Sequence, residues 1–267
     1  MRRLVFLVFL AFAVVGMAAD PPPEVRPGGV LRWGGSGTEL CSHAGRLWAP
    51  LDGVCYFPVD LEATREVVVE RRRDGKTETA AVRVGPYPYP EQHLQVEERM
   101  VHLSPEDEAR AARERQQLAP LWERESPPRF SLPLRPPLER GEGGNFGSRR
   151  VFNGEPRSPH TGLDYRAAAG TPVLAVAPGR VVLVADHFFS GRSVFVDHGG
   201  GLVSMSFHLR AVRVEEGQAV SAGQVLGEVG STGRATGPHL HFGLRWHGAR
   251  VDPEVLFGEP RAIPELP

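Results

Sequence analysis

The feature that most constrains this chain is a set of five polar side chains embedded in apolar, β-prone sequence: His160 and Asp164 in HTGLD, His208 in SFHLR, and His239 and His241 in TGPHLHFG. Side chains alternate faces along a strand, so His239 and His241 project from one face with apolar Leu240 behind them. One of the pair can then bind a metal while the other reaches a substrate. His160 and Asp164 are spaced to face the same way on a strand or a helix. Gly162 between them, and the β-branched, Gly/Pro-punctuated LDYRAAAGTPVLAVA that follows, favour a loop entering a strand. The fold must therefore bring three separate segments onto one sheet. Two neutral imidazoles and a carboxylate around Zn²⁺ leave the fourth tetrahedral position for water, the composition of a catalytic site; a closed structural site needs further ligands, typically cysteines.

The remaining histidines carry no such pattern. His43, His93, His102, His187 and His247 have no partner at ligand spacing and read as ordinary core or surface residues. His198, in VFVDHGGG, reads as a structural strand end before a glycine turn.

Three longer stretches carry a resemblance: NFGSRRVFNGEPRSPHTGLDYRAAAGTPVLAVAPGRVV, VFVDHGGGLVSMSFHL, and VEEGQAVSAGQVLGEVGSTGRATGPHLHFGLRWHGARVDP. Together they resemble the lysostaphin or LytM type of zinc metallopeptidase, which cuts the peptide part of bacterial peptidoglycan, over about residues 130–257. The resemblance implies Zn²⁺ held by His160, Asp164 and His241. It also implies that His208 and His239 act on the water and the tetrahedral intermediate, with no finer division between them. The implied activity is hydrolysis of stem or cross-bridge peptide bonds through a zinc-activated water. All five positions are intact, so the resemblance does not point to the inactive, activator-type relatives. The alternative is a catalytically silent peptidoglycan-binding protein or a regulator of another cell-wall hydrolase.

Composition narrows the partners. The net charge is −1, so no global basic field argues for nucleic acid. The expected partners are peptidoglycan peptides and other cell-wall enzymes. Lys76 is the only lysine. The glycine-rich hairpins expected in TPVLAVAPGRVVLVA and VEEGQAVSAGQVLGEVG also resemble biotinyl and lipoyl carrier barrels, but a carrier needs a lysine at a hairpin tip and this region has none.

Arg2 and Arg3, an apolar run over residues 4–15 and the small residues of 16–19 read as a signal peptide over residues 1–19. The run is shorter than the roughly 20 residues of a spanning helix, so no stable membrane insertion is expected after cleavage; an uncleaved anchor is the alternative. The first cysteine, Cys41, lies too far on for a lipid anchor. The expected location is the periplasm or cell envelope, an oxidising space in which Cys41 and Cys55 can bridge.

The expected fold is mainly β. Residues 20–100, with an Asp74-Gly75 hairpin signal, form a small β-sandwich-like accessory domain. Residues 101–129 hold a helix and a proline-rich linker. Ser104 caps the helix, Pro105 takes its first position, Pro120 ends or kinks it, and its Arg/Glu surface reads as a solvated face. Residues 130–258 form an antiparallel β-sheet peptidase domain with an active-site groove, and residues 259–267 a C-terminal tail.

Overall fold

The computed structural model describes residues 22–267. The expected signal peptide lies outside the described residues. The chain is mainly β, and its antiparallel sheets are built around one large sheet of strands rich in β-branched and aromatic residues. Across this sheet the strands run Ala219–Val220, Gly179–His187, Gly191–Asp197, Leu202–Leu209, His239–Trp246, Gly162–Arg166 and Gly143–Gly144, with Ala249–Val251 also paired to His239–Trp246.

The strict alternation along the central strands decides what each face does. Leu163, Val194, Val196, Leu240, Phe242, Leu244 and Trp246 point into the main core. Leu240 and Leu244 are fully buried, a gain of about 1.5–3 kcal/mol for each such side chain. Asp164, His239 and His241 alternate with them and face the other way. At one end of that second face, Leu183, Phe195 and Met205 are covered by Leu121 and Trp122, which follow the helix Pro105–Leu118. The other end of the face is open, and there the polar residues gather.

Two expected hairpins are not formed. Pro172–Leu174 pairs with Val225–Glu228, while Gly179–His187 pairs with Gly191–Asp197 and Ala219–Val220. Each run thus pairs with the other rather than with itself. The intervening residues 174–177 are buried and bond elsewhere: Leu174 N–H donates to the Pro137 carbonyl (2.8 Å) and Ala175 N–H to that of Gln224 (2.9 Å). Runs that are apolar throughout signal burial but not the partner strand.

Upstream, the strands Glu24–Val25, Lys76–Val84, Val67–Arg73, Thr38–His43 and Arg46–Trp48 form one sheet, and Val30–Gly34 pairs with Val54–Pro58 in another. Asp74 and Gly75 make the expected turn, both at positive φ (49° and 73°). Cys41 and Cys55 are bridged, joining the two sheets around Trp33, Phe57 and Val69. The segment expected as a tail belongs to this unit: Leu266 is buried in its core, and Leu266 N–H donates to the Arg32 carbonyl (2.8 Å).

The connecting segment is integral to the downstream region. The Ser104 hydroxyl accepts from Asp107 N–H (3.1 Å), and the helix gives way at Ala119 to a 3₁₀ turn containing Pro120. Its polar face is mostly exposed, but Glu114 accepts from Phe188 N–H (2.9 Å) and Arg110 donates to the Asp186 carbonyl (3.0 Å). Phe130, Leu134 and Leu138 of the proline-rich stretch are buried in the main core. The strand Glu91–Leu94 pairs in parallel with Arg149–Phe152, which pairs in turn with Glu155–Arg157. Residues 91–100 thus wall the groove, although composition alone groups them with the accessory domain.

Candidate metal centre

Strand register places two of the expected ligands. Asp164 and His241 are directly opposite each other in the pair formed by Gly162–Arg166 and His239–Trp246, and Phe207 lies opposite His241 on the next strand. Asp164 Oδ1 is 3.0 Å from His241 Nδ1 and 3.0 Å from His160 Nε2, and the two nitrogens are 2.8 Å apart. The separations approach the edge of about 3.3 Å expected for a tetrahedron with metal bonds of about 2.0–2.1 Å. Three donor atoms of the right chemistry thus converge on one point.

The supporting contacts fix how these donors face. His160 Nδ1–H donates to the Asn145 carbonyl (2.8 Å), which selects the tautomer whose Nε2 lone pair points at Asp164 and His241. A Cβ at Gly162 would lie 2.4 Å from the Phe242 carbonyl oxygen and 2.7 Å from His241 Nε2, so the close approach of the HTGLD backbone to the His241 strand requires glycine. The Phe207 ring stacks on His241 with centroids 5.2 Å apart and planes 8° from parallel. Burial works to raise the Asp164 carboxyl, but the His160 and His241 imidazoles outweigh it and hold the group well below the ordinary carboxylate range. Burial pushes His241 down to about 4 despite Asp164, so its ring is neutral at pH 7. A carboxylate and two imidazole nitrogens are a donor set that suits zinc.

His208 and His239 stand beside this cluster, with ring centroids 4.6 Å apart. The pairing between Gly191–Asp197 and Leu202–Leu209 shifts register between Arg192 and Val194, opposite Leu209 and Ser206, and His208 sits within the shift at φ 63°. That left-handed conformation is uncommon for a residue with a Cβ. His208 N–H donates to the Ser190 carbonyl (2.9 Å) and its Nδ1–H to the Thr232 carbonyl (2.8 Å), holding the ring toward the groove. Burial, reinforced by His241 and His239, pushes His208 down to about 3, leaving Nε2 as an acceptor. His239 Nδ1–H donates to the Gly237 carbonyl (2.8 Å), and its Nε2 lies 3.9 Å from Asp164 Oδ1.

All five sequence-derived residues therefore meet: Asp164, His208, His239 and His241 line the floor of a groove of about 1160 Å³, and His160 is buried directly against them. The other histidines stay apart. His198 is buried, bonded to the Pro178 carbonyl (2.9 Å) and the Ser204 hydroxyl (2.8 Å), the structural part expected of it. His93 and His102 pair with surface glutamates. Sequence reasoning missed Asn145, Phe207, Arg150 and Arg234. Arg150, whose Nη2 lies 3.3 Å from Asp164 Oδ2, comes from a charged stretch that gives no periodic signal.

Comparison with known proteins places this geometry. The sequence pattern of peptidase family M23 matches residues 158–253. A crystal structure of a protein assigned to peptidase M23 from Pseudomonas aeruginosa shares 32% identity, covers 90% of this chain and 96% of that one, and superposes with a TM-score of 0.68. The chain belongs to peptidase family M23. Curated relatives include the peptidoglycan DD-endopeptidase ShyA of Vibrio cholerae serotype O1, 40% identical over 109 residues, which are 40% of this chain and 25% of that protein. The DD-carboxypeptidase/endopeptidase Mpg of Neisseria meningitidis serogroup B is 45% identical over 94 residues, 35% of this chain and 22% of that protein. The chain thus spans about a quarter of the length of these curated relatives. The M23 match contains HTGLD, His208 and HLH, and leaves the upstream unit and helix outside it.

Proposed function

We propose that this M23 protein is a zinc endopeptidase that hydrolyses amide bonds in the peptide part of bacterial peptidoglycan, and that it works in the periplasm or cell envelope. The observation that carries the reading is the convergence of His160, Asp164 and His241, with Asp164 and His241 lining a groove and two further imidazoles beside them. The relatives named as DD-endopeptidases support a bond between two D-configured centres as the target.

His160, Asp164 and His241 are the assigned ligands. Bound there, zinc supplies a water acidified toward a pKa of roughly 7 and a Lewis acid for the scissile carbonyl. Of the protein's own groups, His208 and His239 each spend Nδ1–H on a backbone carbonyl and turn Nε2 to the groove. An imidazole in that state takes a proton from the attacking water and, once protonated, returns it to the leaving amine or donates to the developing oxyanion. Asn145 holds His160 in its ligating tautomer, and Phe207 holds the plane of His241.

The domain reading proposed with this function keeps chemistry downstream and support upstream. Residues 22–90, with the C-terminal segment 259–267 packed on them, form the accessory unit, and the segment 91–100 is assigned to the groove rather than to that unit. The test is digestion of purified peptidoglycan by the zinc-loaded protein, with chelator and zinc add-back, and mass spectrometry of the released fragments. Chelator-sensitive release of uncross-linked stem peptides is expected. Fully zinc-loaded protein that binds the wall material and releases nothing would favour the silent-binder alternative.

A further inference from the structure

The groove carries an excess of positive charge that the metal ligands do not explain. Its walls include four arginines, Arg99, Arg150, Arg166 and Arg234, against two acids, Glu97 and Asp164. Glu97 is taken by Arg99 (2.8 Å). Asp164 Oδ1 is shared by two histidines, which leaves Oδ2 with Arg150. Arg150 Nε is buried without a hydrogen-bond partner.

Arg234 is more isolated. Its guanidinium lies 4.3 Å from the Phe189 ring centroid and 4.8 Å from that of Phe152, and its one polar contact among the described residues is a long bond to the Met100 carbonyl (3.4 Å). Burial, then the charges of Arg150 and Arg157, pushes it down to about 10. Arg150 has Asp164 on one side, but Arg234 has no anionic partner among the described residues, and a partly desolvated guanidinium facing a second one is costly until an anion joins it. Packed against these two rings and otherwise nearly unbonded, Arg234 leaves its guanidinium fork available to a carboxylate.

We infer that Arg150 and Arg234 form a carboxylate subsite beside the metal centre, which selects peptides bearing a free carboxylate next to the scissile bond. The inference rests on the endopeptidase reading above and sharpens it. In a diaminopimelate cross-link the amide nitrogen sits on a carbon that also carries a free carboxylate, and in a terminal D-alanine it does too. A glycine cross-bridge offers no such group within the chain. The subsite therefore favours the diaminopimelate type of wall over the glycine-bridged type.

The test uses two cross-linked diaminopimelate stem peptides that differ only in this carboxylate, free in one and amidated in the other. The scissile amide is replaced by a ketomethylene link in both, so neither can be cut. Calorimetry on the zinc-loaded protein should show the acid binding about tenfold tighter than the amide, the scale of one charge-assisted contact. Arg234→Gln and Arg150→Gln should each remove most of that preference. Arg234→Lys should keep part of it, because the charge survives while the planar fork is lost. Equal affinity of the wild type for acid and amide would overturn the subsite. So would Arg234→Gln weakening both peptides by the same factor, the signature of a mere tether for Met100; Arg234→Gln decides alone if Arg150→Gln does not fold. A clear preference for the acid in a protein that leaves the parent peptide uncut would sink the endopeptidase reading and leave the subsite standing.

Discussion

The floor of the groove and its wall are built on different principles. On the floor, Asp164 faces His241 and Phe207 faces His241 because antiparallel ladders put them there, and Leu240 and Phe242 lock the register by filling the core behind. On the wall, residues 94–101 are held by scattered side-chain bonds from Asn153, Arg157 and Arg234. A one-residue slip of either floor strand would turn Asp164 or His241 into the core and is correspondingly costly. Loss of one bond on the wall only loosens it. Chemistry that needs fixed atoms is thus assigned to the stiff element, and contact with a long substrate to the softer one.

The comparison breaks first at the ligands. His241→Ala and Asp164→Ala should lose stable zinc and reduce hydrolysis by more than about 10⁴-fold, because two donors do not make a tight open site. Metal analysis of the purified proteins checks this, and wild-type zinc content in His241→Ala would remove that residue from the ligand set. His208→Ala and His239→Ala come next. They should keep zinc and lose about 10²–10⁴ in kcat, the usual worth of a proton-transfer or oxyanion group. Zinc loss from His239→Ala would make it a ligand instead, and near-normal turnover in either variant would end its assigned role.

The same division explains what was legible in the sequence. HTGLD and HLH were readable because period-2 alternation says which side chains share a face, and three polar residues on an otherwise apolar face need a reason. The Asp74-Gly75 turn, the Ser104 cap and the Cys41–Cys55 bridge were readable for similarly local reasons. Partner choice was not. The run from Pro172 to His187 looked like one hairpin, but it splits between two sheets, because uniform apolarity carries no register. The wall was hidden further, since the bonds from Asn153 to Val96 and from Arg157 to Val101 span more than fifty residues and involve side chains that look like ordinary surface polarity. Arg150 and Arg234 matter through where they meet, which spacing does not encode.

A third change moves away from the site to the disulfide. The bridge closes a loop of about 15 residues, so Cys41→Ser with Cys55→Ser should cost roughly 3 kcal/mol in the chain-entropy estimate. The loss should fall on the upstream unit, where Trp33, Phe57 and Val69 pack around the bridge. It should also reach the junction, because Val30, Tyr56 and Leu61 of that unit share the main core with Trp246 and Trp48 stacks on His247 (4.1 Å). Zinc content at low temperature should not change. Denaturant unfolding followed by tryptophan fluorescence checks the size, and a stability unchanged within 0.5 kcal/mol, about the scatter of neutral surface substitutions, would show that the bridge contributes little.

The smallest expected effect tests the wall itself. Asn153 Oδ1 accepts from Val96 N–H (3.0 Å), and its Nδ2 donates to the Val96 carbonyl (3.1 Å) and to Glu98 (3.2 Å). The residue sits at φ 51° in an Asn-Gly turn, so alanine would add backbone strain to the loss of these bonds. Glycine keeps the turn and removes only the side chain. Asn153→Gly should therefore free residues 94–101 at a cost of about 1–2 kcal/mol, seen as roughly tenfold faster amide hydrogen exchange there. Zinc content should be unchanged and kcat altered less than about threefold, because no floor residue bonds to Asn153. KM for a long cross-linked peptide should shift while that for a minimal peptide does not, since only the long one reaches the wall. If exchange in 94–101 stays slow, the wall is as stiff as the floor and the contrast between them fails.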